Sequence, residues 1–200
     1  MTAREAVDDE WHRCFIALVP DTATRDALAA MPVGSAARRV AVDQLHMTVA
    51  FLGTVAPETG ERLAARLASI VVPLPVQRAE HSEYWPSAAH PRLVVVPFAA
   101  EPGLASLEAR VRELVDGLGL PIDDHRPFRP HITLARFARS ARPAREAAAG
   151  HARSPAGSPP HAAALVSVPP RFDTLTLYSS TLARHGARYR ALASVAVPAA

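Results

Sequence analysis

The 200-residue chain has no lysine, so all 22 of its basic side chains are arginine, set against 19 acidic ones for a formal charge of +3. Composition bias in the gene would produce this. So would a need to recognise phosphate, because the planar guanidinium fork matches phosphate oxygens. A charge this small does not by itself indicate a nucleic-acid partner. Only one cysteine is present, Cys14. That excludes a disulfide framework within the chain and a cysteine-rich metal site; its apolar neighbours suggest a buried thiol. No apolar run approaches the length of a membrane span. The first ten residues are acidic and polar, unlike a secretory signal, and a cytoplasmic protein without membrane attachment is expected. Aromatic residues make up 6% of a chain that is 49% hydrophobic, so the core must be built from small and aliphatic side chains. G-x-S-x-G, P-loop and G-x-G-x-x-G patterns are all missing, which leaves hydrolase-elbow, NTPase and dinucleotide readings without support.

What the chain does contain is one phrase stated twice: His46-Met47-Thr48-Val49-Ala50 and His131-Ile132-Thr133-Leu134-Ala135. Each is an H-x-T with apolar flanks in a stretch that reads as a β-strand. Side chains alternate across a strand. Strict alternation puts His, Thr and Ala of each copy on one face. It puts Met47, Val49 and Phe51, or Ile132 and Leu134, on the other face as core. A duplicated His-Thr face followed by a small residue predicts a paired site with room for a ligand over the alanines.

The pattern around each copy also recurs: an apolar strand, a helix, then the H-x-T strand. The fold class expected is α+β and bilobal. Two pseudo-symmetric lobes would line a central cleft with antiparallel sheets, helices outside. Residues 1–12 read as a flexible leader and 13–197 as a single domain, with a flexible Ala-, Arg-, Ser- and Pro-rich connection at about 138–160. Helices are expected over residues 21–30, where Asp21 is the cap, over 57–70 and over 101–118. Strands are expected at 13–19, 38–42, 74–83, 92–97, 163–168, 172–179 and 188–197, with Tyr84-Trp85-Pro86 as a loop bearing aromatic anchors.

Two imidazoles on opposite sides of a bound group can serve as one general base and one general acid. Two threonine hydroxyls can donate to anionic oxygens. The set suits a phosphodiester, needs no metal or other cofactor, and predicts a bell-shaped pH–rate profile. A zinc site has little support: the two histidines lie too far apart in sequence for ligand spacing, and H-E-x-x-H is missing. The other histidines read as surface or linker residues, with His125, just before the second copy, as the one to watch. By strand parity Arg136 falls on the face opposite His131 and Thr133. Either the strand ends or bulges there and turns Arg136 to the phosphate, or Arg136 is simply exposed; Arg129 shares the His face and is a second candidate. Phe128 and Tyr178 could stack on a base or belong to the core.

The segments around Leu45–Gly53, Phe128–Arg136 and Leu175–Leu182 resemble the two-histidine (2H) phosphoesterase superfamily, and within it the LigT-like RNA 2′,3′-cyclic phosphodiesterases. The resemblance spans residues 13–197 in order. It implies hydrolysis of RNA 2′,3′-cyclic phosphate ends to 2′-phosphates. His46 would be the proton donor, His131 the proton acceptor, and Thr48, Thr133 and Arg136 the phosphate ligands. Some members also join or open 2′–5′ RNA linkages. The partners implied are RNA ends or small cyclic nucleotides, acted on by a monomer. A non-catalytic RNA- or nucleotide-binding module is the alternative, which the completeness of both H-x-T copies disfavours. The strand at 93–96 is wholly aliphatic where relatives often carry a tryptophan.

Overall fold

A computed structural model describes residues 11–79, 81–121, 127–138, 169–183 and 186–200. The expected strand at 163–168, His125 and nearly all of the expected connection lie outside the described residues.

The described strands are β1 (Cys14–Pro20), β2 (Ala37–Arg39), β3 (Met47–Gly53), β4 (Glu83–Trp85), β5 (Leu93–Pro97), β6 (His131–Phe137), β7 (Phe172–Ala183) and β8 (Gly186–Ala196). They form an antiparallel sheet in the order β4-β5-β6-β3-β1-β7-β8, with β2 paired to β6. The helices are α1 (Thr22–Ala30), α2 (Pro57–Arg66) and α3 (Pro102–Gly117), so the class is α+β. Asp21 caps α1 by accepting from the Thr24 amide at 2.8 Å. The buried Thr24 hydroxyl in turn accepts from the Arg171 amide at 3.0 Å and ties the helix to the start of β7.

The two halves of the sheet meet through a single residue pair, Met47 with Ile132. These are the middle residues of the two H-x-T copies, so the pseudo-two-fold passes between them. Residues paired across strands share a face. Following the pairs outward, Leu18, Met47, Ile132, Val96 and Leu175 share one face, together with Ile16, Val94 and Leu177. All are buried in one cluster with Leu28 of α1, Leu63 of α2, and Leu104, Leu107, Val111 and Val115 of α3. Helices and aliphatic core therefore lie on one face, and the His-Thr face is the opposite one.

Several expectations need correction. The leader does not extend to residue 12: Trp11 is buried in the core and packs on Gly60, where an added Cβ would lie 2.2 Å from its ring. Of the strand expected at 74–83, the described residues keep a bridge from Leu74 to Ala199 and Glu83 at the start of β4; Pro73 and Pro75 leave little amide for a ladder. Tyr84 and Trp85 are in β4, not in a loop. The helix expected over 57–70 is α2 followed by a tighter 3-10 turn, Leu67–Ile70.

Phe51 is the most informative departure. Strict alternation places it in the core, yet it is 73% exposed. Thr48 pairs with Ala17, but Ala50 pairs with Ile16, the very next residue of β1, so Val49 is an extra residue in the ladder. A bulge of this kind shifts the parity of everything after it. Phe51 then pairs with Phe15 and joins the His-Thr face.

Candidate active site

The same bulge occurs in the second copy. Thr133 pairs with Val95 and Ala135 with Val94, leaving Leu134 as the extra residue. Ala135 therefore turns into the core, where it is fully buried, and the expectation of space over this alanine fails. Arg136 pairs with Leu93 and shares the face of His131 and Thr133. The bulge puts Arg136 on the site face, where it is exposed. In both copies the positions on that face are i, i+2 and i+5, namely His46, Thr48 and Phe51, and His131, Thr133 and Arg136.

The antiparallel sense of the Met47–Ile132 pair sets His46 toward Thr133 and Thr48 toward His131. Thr48 and His131 line one cleft of about 650 Å³ together with Phe51, Trp85, Phe128 and Arg129. Both histidines are held alike. His46 Nδ1 lies 2.7 Å from the Gln44 carbonyl oxygen, and His131 Nδ1 lies 2.7 Å from that of Arg129. A carbonyl only accepts, so each Nδ1 carries the hydrogen and donates it. That leaves each Nε2 as the nitrogen free to exchange a proton.

Burial is the largest influence on the two rings and lowers the pKa of each below its ordinary value of 6.5. The carbonyl hydrogen bonds oppose this. The Arg136 charge lowers both, joined by His131 acting on His46 and by Arg129 acting on His131. The Arg136 guanidinium is thus close enough to both imidazoles for its charge to be felt by each.

Aromatic residues flank each histidine. On the His46 side, Phe15 lies 5.1 Å from the imidazole and stacks on Tyr178 at 5.2 Å, and the edge of Tyr189 meets His46 at 5.1 Å. Tyr178 lies 6.3 Å from His46 and is not among the residues lining the aromatic cleft, whereas Phe128 is. Burial raises the Tyr178 phenol. On the His131 side, Trp85 packs against the imidazole at 4.6 Å and carries the Arg129 guanidinium 4.1 Å above its ring. The indole Nε1–H donates to Glu83 at 2.7 Å, and the other Glu83 oxygen meets His81 at 3.0 Å. The indole hydrogen bond is the main reason that the Glu83 carboxyl is held below its usual range.

Phe15, Phe51, Trp85 and Tyr189 were not expected at the site. Phe51 and Arg136 occupy equivalent positions five residues after the two histidines, a correspondence visible in the sequence once the bulge is known. Trp85 supplies, from β4, an indole where the neighbouring β5 has only aliphatic side chains. Among the described residues no three His, Cys, Asp or Glu side chains come together as a metal site, and no helix is long and apolar enough to cross a membrane. Burial pushes the Cys14 thiol up to about 11, so it is an inert core group.

Residues 23–178 match the family model of the 2′-5′ RNA ligase superfamily. The chain belongs to that superfamily. It is an enzyme of the 2H phosphoesterase group. The RNA 2′,3′-cyclic phosphodiesterase of Escherichia coli K12 is 30% identical over 165 residues, 78% of each chain. Among solved structures, one described as a phosphoesterase superposes with a TM-score of 0.67 at 26% identity, covering 94% of this chain and 99% of its own. Escherichia coli LigT bound to 3′-AMP superposes with a TM-score of 0.63 at 27% identity, covering 93% and 98%. Superfamily membership thus agrees with the site face, where both H-x-T copies converge.

Proposed function

We propose that this 2H phosphoesterase hydrolyses RNA 2′,3′-cyclic phosphate ends to 2′-phosphates by proton transfer between its two histidines. The observation that carries the proposal is the matched pair of imidazoles, each with Nδ1 tied to a carbonyl two residues earlier and Nε2 free. His131, neutral, takes a proton from water as the water oxygen bonds to phosphorus. His46, protonated, gives its Nε2 proton to the 3′ oxygen as the P–O3′ bond breaks. Thr48, Thr133 and Arg136 donate hydrogen bonds to the non-bridging oxygens, whose charge grows in the transition state. The products are a 2′-phosphate and a free 3′-hydroxyl. Proton exchange with solvent then resets the pair. The chain's own residues carry every proton, so the step proceeds without a metal.

The lowered pKa of His131 fits the base, because it favours the neutral imidazole that can take a proton. The lowered pKa of His46 opposes the acid, so His46 needs the bound phosphate anion, which favours the imidazolium. The base of the terminal nucleotide would lodge among Phe51, Trp85 and Phe128. Of the relatives, Escherichia coli LigT has been solved with 3′-AMP and with ATP, which supports a nucleotide-sized occupant. A reaction at a 2′–5′ linkage would use the same proton path on another bond.

The test is incubation with an RNA ended in a 2′,3′-cyclic phosphate, in EDTA, with product identification. A 2′-phosphate product is expected. His46→Ala and His131→Ala should each reduce kcat by about 10²- to 10⁴-fold, the range for a lost general acid or base. A 3′-phosphate product, abolition by EDTA, or turnover indifferent to both substitutions would defeat the proposal. Tight binding with no turnover at any pH would favour a binding module instead.

A further inference from the structure

The mechanism uses Arg136 but leaves its arginine neighbours Arg38, Arg39 and Arg188 without a role. Beyond His46, on the side away from the aromatic cleft, lies a cavity of about 210 Å³ lined by Arg38, Arg39, Arg136 and Arg188 together with Gln44 and Tyr189. It adjoins the reaction site directly. Gln44 supplies the carbonyl that holds His46, and Tyr189 is the ring that meets the His46 edge. No Asp or Glu lines it.

Its arginines are differently employed. Arg39 donates to the carbonyls of Ala29 and Met31 and so anchors the end of α1. Arg38 stands directly opposite Arg136 across the β2–β6 pair. Like charges placed this way repel, and an anion between them would relieve the repulsion. The Arg38 guanidinium is also packed against Gly186 at the start of β8. A Cβ there would lie 2.5 Å from an Arg38 nitrogen, and Gly186 itself has a φ of +121°. The glycine therefore admits the guanidinium to the cavity. Arg188, two residues on, faces the same space from β8.

We infer that this cavity is a second phosphate subsite, in which Arg38 and Arg188 hold the phosphodiester one nucleotide upstream of the cyclic end. The inference rests on the cyclic-phosphate reading above and refines its substrate: a strand of RNA is preferred to a mononucleotide. The arrangement supplies what the reading needs. The reacting phosphate lies between the histidines, the terminal base fills the aromatic cleft beyond His131, and the strand leaves past His46 over the arginines. Planar guanidinium forks suit a phosphodiester's two free oxygens better than point charges do.

The test compares adenosine 2′,3′-cyclic phosphate with the adenosine dinucleotide carrying the same cyclic end. The wild type should show kcat/KM at least about tenfold higher for the dinucleotide, the effect of one charge-assisted hydrogen bond. In Arg38→Ala/Arg188→Ala the advantage should collapse toward unity while turnover of the mononucleotide is unchanged. Added salt should erode the dinucleotide advantage in the wild type only. A wild-type ratio near one, or a ratio untouched by the double substitution, overturns the subsite. A parallel measurement separates this from failure of the catalytic reading: equilibrium binding of 2′-AMP and of the 2′-phosphorylated dinucleotide. If neither cyclic substrate turns over but the dinucleotide binds about tenfold tighter in the wild type alone, the subsite stands and the catalytic reading falls. Equal binding of the two in the wild type removes the subsite whatever the activity.

Discussion

Replacing Arg136 by Gln separates the two things that this side chain is placed to do. The Leu134 bulge brings it onto the face of His131 and Thr133, where its charge acts on both imidazoles. As the proposed phosphate ligand it would supply a charge-assisted hydrogen bond worth about 1.5–3 kcal/mol. Loss of that bond should lower kcat/KM about ten- to 150-fold. As a neighbouring cation it helps to hold both histidines below their ordinary value, though burial contributes more. Without it both pKa values rise. In the proposed mechanism the acid limb of the kcat/KM profile reports His131 as the base and the alkaline limb reports His46 as the acid, so both limbs should move to higher pH. Arg136→Lys keeps the charge but loses the fork; its rate should fall while its limbs stay near the wild-type positions. The assay is the pH dependence of kcat/KM for a cyclic nucleotide in the three proteins. An Arg136→Gln enzyme with wild-type kcat/KM and an unmoved profile would show that the side chain points to solvent and that the bulge argument is wrong.

Phe51→Ala should raise KM for a cyclic nucleotide by about tenfold, within the range for a lost base–aromatic stack; because the ring is 73% exposed, the melting temperature should hold. Gly60→Ala gains helix propensity, about 1 kcal/mol, but its methyl meets the Trp11 ring at 2.2 Å. Overpacking of about 1–3 kcal/mol should at least cancel the gain; a urea midpoint above the wild type's would place Trp11 elsewhere. Both site histidines have pKa values lowered by folding, so the unfolded chain binds more protons as pH falls below about 6.5. Stability should decline through that window, and His46→Gln/His131→Gln should decline less; parallel urea midpoints from neutral to mildly acidic pH decide it.

Much of this site was legible because its signal is local and doubled. H-x-T recurs with its apolar flanks, and period-two alternation placed Met47 and Ile132 correctly in the core, where they prove to be the seam between the halves. Asp21 capped its helix as its chemistry dictates. The failures share a cause: each depends on a partner strand or helix that sequence spacing does not show. A bulge arises from pairing between two strands, and nothing in Thr48-Val49-Ala50 alone distinguishes a regular ladder from one with an extra Val49. Trp85 lies in a strand of three residues, too short to display a period. Trp11 is core because Gly60 leaves a space for its ring, and the two are far apart in the chain.

The bulges also explain how a duplicated phrase yields an asymmetric site. The backbone repeats faithfully: Val49 and Leu134 are the extra residues at matching places, and both histidines donate to a carbonyl two residues back. Asymmetry enters at the position that the bulge brings to the face, which is Phe51 in one copy and Arg136 in the other. Because the strands run antiparallel, Phe51 follows Thr48 toward His131 and Trp85, while Arg136 follows Thr133 toward the arginines beside His46. One end of the face thus gains an exposed phenyl ring and the other a guanidinium. Under the proposed function, a nucleotide with a flat base and a charged backbone would then have one favoured direction of binding. That direction would assign different tasks to two histidines with the same local hydrogen bonding, since only one of them would face the leaving oxygen.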